Sequence, residues 1–151
     1  MNICVQTKSA SEVLAEKLAN HVFRSLPEQC PLVVIRDDHG NDHFINESVY
    51  KYVFSDPETL DDISAKIADG DDPLYCQHNG HDILATQIRM QDGGYVVALI
   101  AFSDSASPVT VDVAEVALSQ IELVASILDC GQKARSARAI MGDLAEEFVL
   151  N

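Results

Sequence analysis

Eight consecutive apolar residues, Tyr95-Val96-Val97-Ala98-Leu99-Ile100-Ala101-Phe102, form the longest uninterrupted apolar run in the chain. A strand with one face in water alternates apolar and polar side chains. This run does not alternate, so both of its faces must be covered. It therefore belongs near the centre of a sheet, with helices packed on at least one side. A membrane-crossing helix needs roughly 18 or more such residues, so the run reads as a core strand and nothing here spans a bilayer.

The segments around it supply the rest of an α/β domain. Ser9-Ala10-Ser11-Glu12 has capping-box spacing, and Leu14, Leu18, Val22 and Leu26 follow four apart beside Ala15, Ala19 and Phe23. This predicts an amphipathic helix ending near Leu26, because Pro27 and Pro31 prevent its continuation. Leu32 to Arg36, the turn residues Asp38-His39-Gly40-Asn41, and His43-Phe44-Ile45 read as a hairpin. A helix is expected over Pro57 to Ala68, with Asp56 as N-cap and proline at the first helical position.

Leu74 to Gln77 and Ile83 to Met90 read as strands joined at Asn79-Gly80, and Asp92-Gly93-Gly94 turns the chain into the apolar run. A long helix follows, capped by Thr110. Val113, Ala117, Ile121, Val124 and Leu128 are expected to face the sheet, and Val116, Leu123 and Ile127 form a second apolar line. One stripe suffices to pack on a sheet, so the second predicts a further helix contact. Self-association through Val116, Leu123 and Ile127, with the first helix as neighbour, is the expectation. Gly131 is a candidate interruption, after which Ile140, Leu144 and Phe148 resume the apolar spacing.

The 151 residues, 47% of them apolar, can bury one core, and the expected organisation is a single domain with 1–131 as its body and 132–151 as a helical extension, a candidate link to an output domain. Ten basic residues against 24 acidic ones give a formal charge of -14, which repels phosphate backbones and anionic lipid. Nucleic acid and membrane surfaces are excluded as expected partners. The start, Met1-Asn2-Ile3-Cys4-Val5-Gln6, has no basic leader before a sustained apolar stretch, so the expected compartment is the cytoplasm.

The order of elements resembles the GAF and PAS sensory domains, which share a central antiparallel sheet flanked by helices. The GAF likeness rests on Ile83 to Met90, the Asp92-Gly93-Gly94 turn, the apolar strand, the loop with Pro108 and the helix from Val111 to Leu128. The PAS likeness rests on Leu32 to Asn46, with Asn79-Gly80 and Gly93-Gly94 joining the last three strands. The resemblance implies a five- or six-stranded, mainly antiparallel sheet and a sensory or regulatory role relayed through terminal helices. It also implies a ligand cavity between sheet and helices, near Tyr50, Tyr52, Phe54 and Tyr75. The alternatives are a ligand-free dimerisation or adaptor domain of the same fold and a small cysteine-based redox enzyme.

Chemistry-bearing residues concentrate in Cys76-Gln77-His78-Asn79-Gly80-His81-Asp82. Cys76 and His78 join the four aromatics as weak candidates for ligand binding, while the polar character of a solvated tight turn accounts for the rest without a metal. The loop carboxylates around His39 and His43 lack calcium-loop spacing. Serine elbows, phosphate-binding glycine loops and His-Glu-x-x-His motifs are missing, so no catalytic residue and no cofactor is named. One free-standing GAF group reduces methionine sulfoxide with paired cysteines. Cys4, Cys30, Cys76 and Cys130 form no such pair, and the chain has no tryptophan. Titration of the denatured chain without reductant should find four free thiols; a lower count would mean a disulfide or a bound metal.

Overall fold

The computed structural model describes residues 8–25, 31–103 and 111–149, of which 111 and 132–149 by backbone alone. Helix α1 (Ala10–Ser25) leads into β1 (Leu32–Asp37) and β2 (Asp42–Ile45), and helices α2 (Glu47–Val53) and α3 (Glu58–Ala68) follow. Strands β3 (Leu74–His78), β4 (His81–Arg89) and β5 (Tyr95–Phe102) precede the long helix α4 (Val111–Val149). The strands form one antiparallel five-stranded sheet in the order β2-β1-β5-β4-β3. The unalternating run is the middle strand, as its composition requires.

Both faces of β5 are covered. Val96, Ala98, Ile100 and Phe102 join Val33, Ile35, Leu84 and Ile88 beneath α1 and α4. Val97, Leu99 and Ala101 join Leu32, Val34, Ile83 and Ala85 beneath α2 and α3. Register explains the sorting: Val33 pairs with Ile100 and Ile35 with Ala98, so one set of side chains falls on one face and Val34 with Leu99 on the other. Full burial of each large aliphatic side chain contributes about 1.5–3 kcal/mol.

Local chemistry fixes the ends of the elements. The Glu12 amide donates to Ser9 Oγ at 3.3 Å, capping α1, while the Glu12 carboxylate faces His39 Nε2 at 3.4 Å and leaves the reciprocal half of the box unmade. Leu26, the expected end of α1, and Thr110, the expected cap of α4, lie outside the described residues. Helix α3 begins one residue later than expected, at Glu58, yet Asp56 Oδ1 still accepts the Glu58 amide at 3.1 Å. At the β3–β4 turn Asn79 (φ 49) and Gly80 (φ 74) are both left-handed, the conformation of a two-residue hairpin loop that suits the strand twist.

One helix is added and two expectations change. The segment before α3 holds its own helix, α2, entered through a left-handed Asn46 (φ 68). The sheet-facing stripe of α4 is Ala114, Leu118, Ile121 and Ala125, flanked by Ala117, Val124 and Leu128, while Val113 is 53% exposed. Ala114 and Ala125 let the helix approach the sheet and α1 closely, which a line through Val113 would not. Helix α4 also runs through Gly131 without a break. There a Cβ would meet nothing within 4 Å, so the lack of a side chain carries only a propensity cost.

Leu99→Ala should cost about 2–5 kcal/mol in denaturant unfolding, the range for emptying a packed aliphatic site. Amides 96 to 101 should exchange only near global unfolding, and rapid exchange there would contradict a central β5.

Candidate functional site

The residues that sequence reasoning grouped are distributed over three places. Tyr50 and Phe54, from the end of α2, pack with Phe44 and Cys76 against the α2/α3 side of the sheet. The Tyr50 ring stacks on Phe44 with centroids 3.8 Å apart and planes 1° from parallel, and its tilt to Phe54 is 53° at 5.7 Å. Tyr75 points from the opposite face of β3, where its hydroxyl donates to Asp82 Oδ1 at 2.7 Å. Tyr52 is exposed and meets His81 edge-on at 6.0 Å. His78 Nε2 lies 3.4 Å from Thr59 Oγ1, linking β3 to α3. The structure therefore brings Tyr50, Phe54 and Cys76 together and leaves Tyr52 and Tyr75 apart from them.

The polar residues of the β3–β4 hairpin are largely engaged as fastenings. Asn79 Nδ2 donates to the carbonyls of Tyr52 and Val53, each at 3.2 Å, tying the turn to the end of α2. His81 Nδ1 lies 3.0 Å from the Asn79 carbonyl. Asp82 accepts from Tyr75 and from Gln77 Nε2 (2.8 Å), and these donors hold its carboxyl below the usual carboxylate range. An open depression of about 420 Å³ lies over this turn, lined by Gln77 through Asp82 and Ser103. A second, of about 210 Å³, lies between α1, α4 and the end of β4, with Leu14, Ile88, Ala125 and Cys130 among its walls. Among the described residues no three His, Cys, Asp or Glu side chains are grouped to hold a metal ion.

A polar network that the sequence reading did not single out closes one end of the α2/α3 layer. Arg36 of β1 hydrogen-bonds Asp61 of α3, and its Nε stands 3.7 Å from Asp42 Oδ1. The Tyr50 hydroxyl donates to Asp42 Oδ2 at 3.0 Å. Burial pushes the Asp42 carboxyl up against the pull of Tyr50 and Arg36, and Oδ1 has no hydrogen-bond partner among the described residues. The Tyr50 phenol is pushed up to about 12, first by burial and then by Asp42. At neutral pH Tyr50 is thus a donor in this network and not a base. The signal available in the sequence was the β1–β2 hairpin register, which sets Arg36 opposite Asp42.

Burial likewise pushes the Cys76 thiol up, only partly offset by Lys66, which lowers its nucleophilicity at neutral pH. Cys76 and Cys130 are free thiols; Cys4 and Cys30 lie outside the described residues. The exposed apolar side chains gather elsewhere. Val116 (59%), Leu123 (62%) and Ile127 (62%) stand with Val113 on the side of α4 turned away from the sheet. No helix among the described residues is long and apolar enough to cross a membrane.

No known family model matches the chain, and no curated protein matches it. Among solved structures it is similar to a chain of the crystal structure of the Escherichia coli DhaR(N)-DhaL complex, with a TM-score of 0.55 and 14% identity. The likeness covers 95% of this chain and 59% of that one, so this chain spans little more than half the length of its structural neighbour. At that identity what is shared is the fold alone.

The two carboxylates should respond to acid in opposite senses. Asp82 is depressed, so its contribution is present above the unfolded value near 3.8 and is lost as pH falls through the folded one. Asp82→Asn should therefore lower the melting temperature at pH 7, with the difference closing in acid. Asp42 is raised, so its ionisation opposes folding above that range and Asp42→Asn should raise the melting temperature at pH 7. Melting curves of both variants from pH 3 to pH 7 check the signs; a like response from both would contradict the assigned causes.

Proposed function

We propose that this chain is a regulatory domain of GAF or PAS type that self-associates through α4 and relays a state, through its terminal helices, to a partner protein or an output domain. The observation that carries the reading is the exposed apolar line of Val116, Leu123 and Ile127 opposite the face of α4 that packs on the core. A monomer gains nothing from three large apolar side chains in water. Burying each fully would contribute about 1.5–3 kcal/mol, a large share of the stability of an ordinary domain. The fold likeness to a chain from a two-protein complex agrees with a partner-binding role. The strong negative charge argues against nucleic acid as the partner and fits a cytoplasmic protein acting on other proteins.

A second reading, the ligand-free adaptor of the same fold, is favoured by one specific observation. Tyr50, Phe54 and Cys76 are packed into the apolar cluster where a ligand would be sought, Phe54 buried and the other two half-buried. In that reading protein contacts alone set the state of the domain. The redox reading draws no support from Cys76, whose thiol is held in its protonated form by burial.

Sedimentation at tens of micromolar should find a dimer that tightens as salt screens the repulsion between two acidic subunits. Leu123→Glu with Ile127→Glu should give a monomer with unchanged circular dichroism. A monomeric unmodified chain at moderate salt would overturn the reading.

A further inference from the structure

Helix α4 is 39 residues long, about 58 Å at 1.5 Å per residue, far more than is needed to cross its own sheet. Its outer face has a stricter pattern than a surface helix requires. Val116, Gln120, Leu123, Ile127 and Cys130 recur at steps of four, three, four and three, one step after Val113, and every one of them is exposed. The same steps continue in the sequence through Ala134, Ala137, Met141, Leu144 and Phe148, over backbone that remains helical to Val149. A seven-residue repeat of this kind is the seam of a left-handed coiled coil.

The pattern changes character along the helix. Up to Leu128 a second apolar stripe, centred on Leu118, Ile121 and Ala125, packs on the domain core. Past Gly131 the sequence positions continuing the core-facing spacing include Gln132, Arg135, Gly142 and Glu146, while the large apolar residues Met141, Leu144 and Phe148 continue the spacing of Val116, Leu123 and Ile127. The seam is the feature that persists across the whole helix. A partner for it must match it over about five heptads, and a second copy of the same helix does so.

The geometry points to a second copy of this chain as the occupant, its α4 lying parallel and in register with the first. This inference rests on the self-association proposed above and adds its orientation. Gln120 decides it: it is the one amide in the repeat from Val113 to Phe148. In a parallel pair equivalent positions face each other, and two Gln120 amides can exchange hydrogen bonds across the axis. In an antiparallel pair whose seams overlap along their length each would face a non-equivalent position such as Ala137 or Leu144, which offers its amide nothing. Parallel pairing sets Lys133 of one copy near Arg138 of the other, a like-charge cost that salt reduces and that the long apolar seam must exceed. It also sets Cys130 opposite Cys130 and Val116 opposite Val116.

Two single-cysteine chains test this. One keeps Cys130 and carries Cys4→Ser, Cys30→Ser and Cys76→Ser; the other replaces all four cysteines by serine and adds Val116→Cys. Glu122→Cys in the same cysteine-free background, on the flank of the helix away from the seam, reports random collision. Diamide is the oxidant: two thiols form one disulfide, and their two electrons and two protons reduce diamide to the hydrazine. Both seam chains should cross-link to dimers roughly a hundredfold faster than Glu122→Cys, because pairing raises the local thiol concentration from micromolar toward millimolar. A central antiparallel crossing could join the Cys130 pair but would hold the two Val116 positions on the order of 40 Å apart, and no single antiparallel register brings both pairs together. Cross-linking of only one seam chain, or of none, or at the rate of the Glu122→Cys control, overturns the parallel register. If sedimentation still shows a dimer, the regulatory reading survives; a monomer removes both.

Discussion

Burial of both faces of β5 is the constraint to which the rest of the fold answers. A strand with Val97, Leu99 and Ala101 on one side and Val96, Ala98 and Ile100 on the other cannot leave either face to water. It needs a neighbour strand on each edge and a helical layer on each face. Strands β1 and β4 take the edges, α1 and α4 one face, and α2 with α3 the other. The two helical layers lie at different distances in sequence: α2 and α3 arrive between β2 and β3, whereas α1 and α4 come from opposite ends of the described chain. The α1/α4 layer thus brings early and late segments together, which makes α4 both part of the core and the carrier of the exposed apolar line.

Polar groups are placed where this three-layer arrangement meets solvent. Arg36, Asp42, Asp61 and Tyr50 close one end of the α2/α3 layer, and the Asn79 side chain ties the β3–β4 turn to α2. These contacts orient elements that apolar packing alone would leave free to slide, at the cost of a carboxylate, Asp42, whose burial opposes its charge. The aromatic residues there act as wall material: Phe44, Tyr50 and Phe54 fill space that would otherwise be a cavity.

What the sequence disclosed depended on how local the determining signal was. The central strand was legible to its end residues because loss of alternation is a property of the run itself. The β3–β4 hairpin followed from Asn79-Gly80, and fixing that turn also fixes Gln77 opposite Asp82, so this part of the site was within reach. Helix α2 was hidden because seven residues give barely two turns of periodicity and its entry, a left-handed Asn46, resembles a loop. Of the expected α4 stripe, Ile121 is buried and Ala117, Val124 and Leu128 pack at its flank; only Val113 is exposed, and the small residues Ala114 and Ala125, which give little apolar signal in a sequence, are buried in its place. Tyr50 and Phe54, grouped by composition with Tyr52 and Tyr75, pack in one apolar cluster with Cys76, while Tyr52 and Tyr75 lie apart from it, because composition carries no information about which side of an element a residue faces.

The two sheet margins have a consequence for how this molecule can fail. An open strand edge invites another strand to add to it, the first step toward fibrous aggregates. Here β2 offers only four residues, beginning with Asp42 and His43. Strand β3 has five, confined between Pro73 and the Asn79-Gly80 turn. Both margins are too short and too polar to template a long cross-chain ladder, and the charge of -14 keeps such encounters brief. A chain whose long helix exposes an apolar line can therefore be abundant without its sheet becoming a seed for insoluble growth.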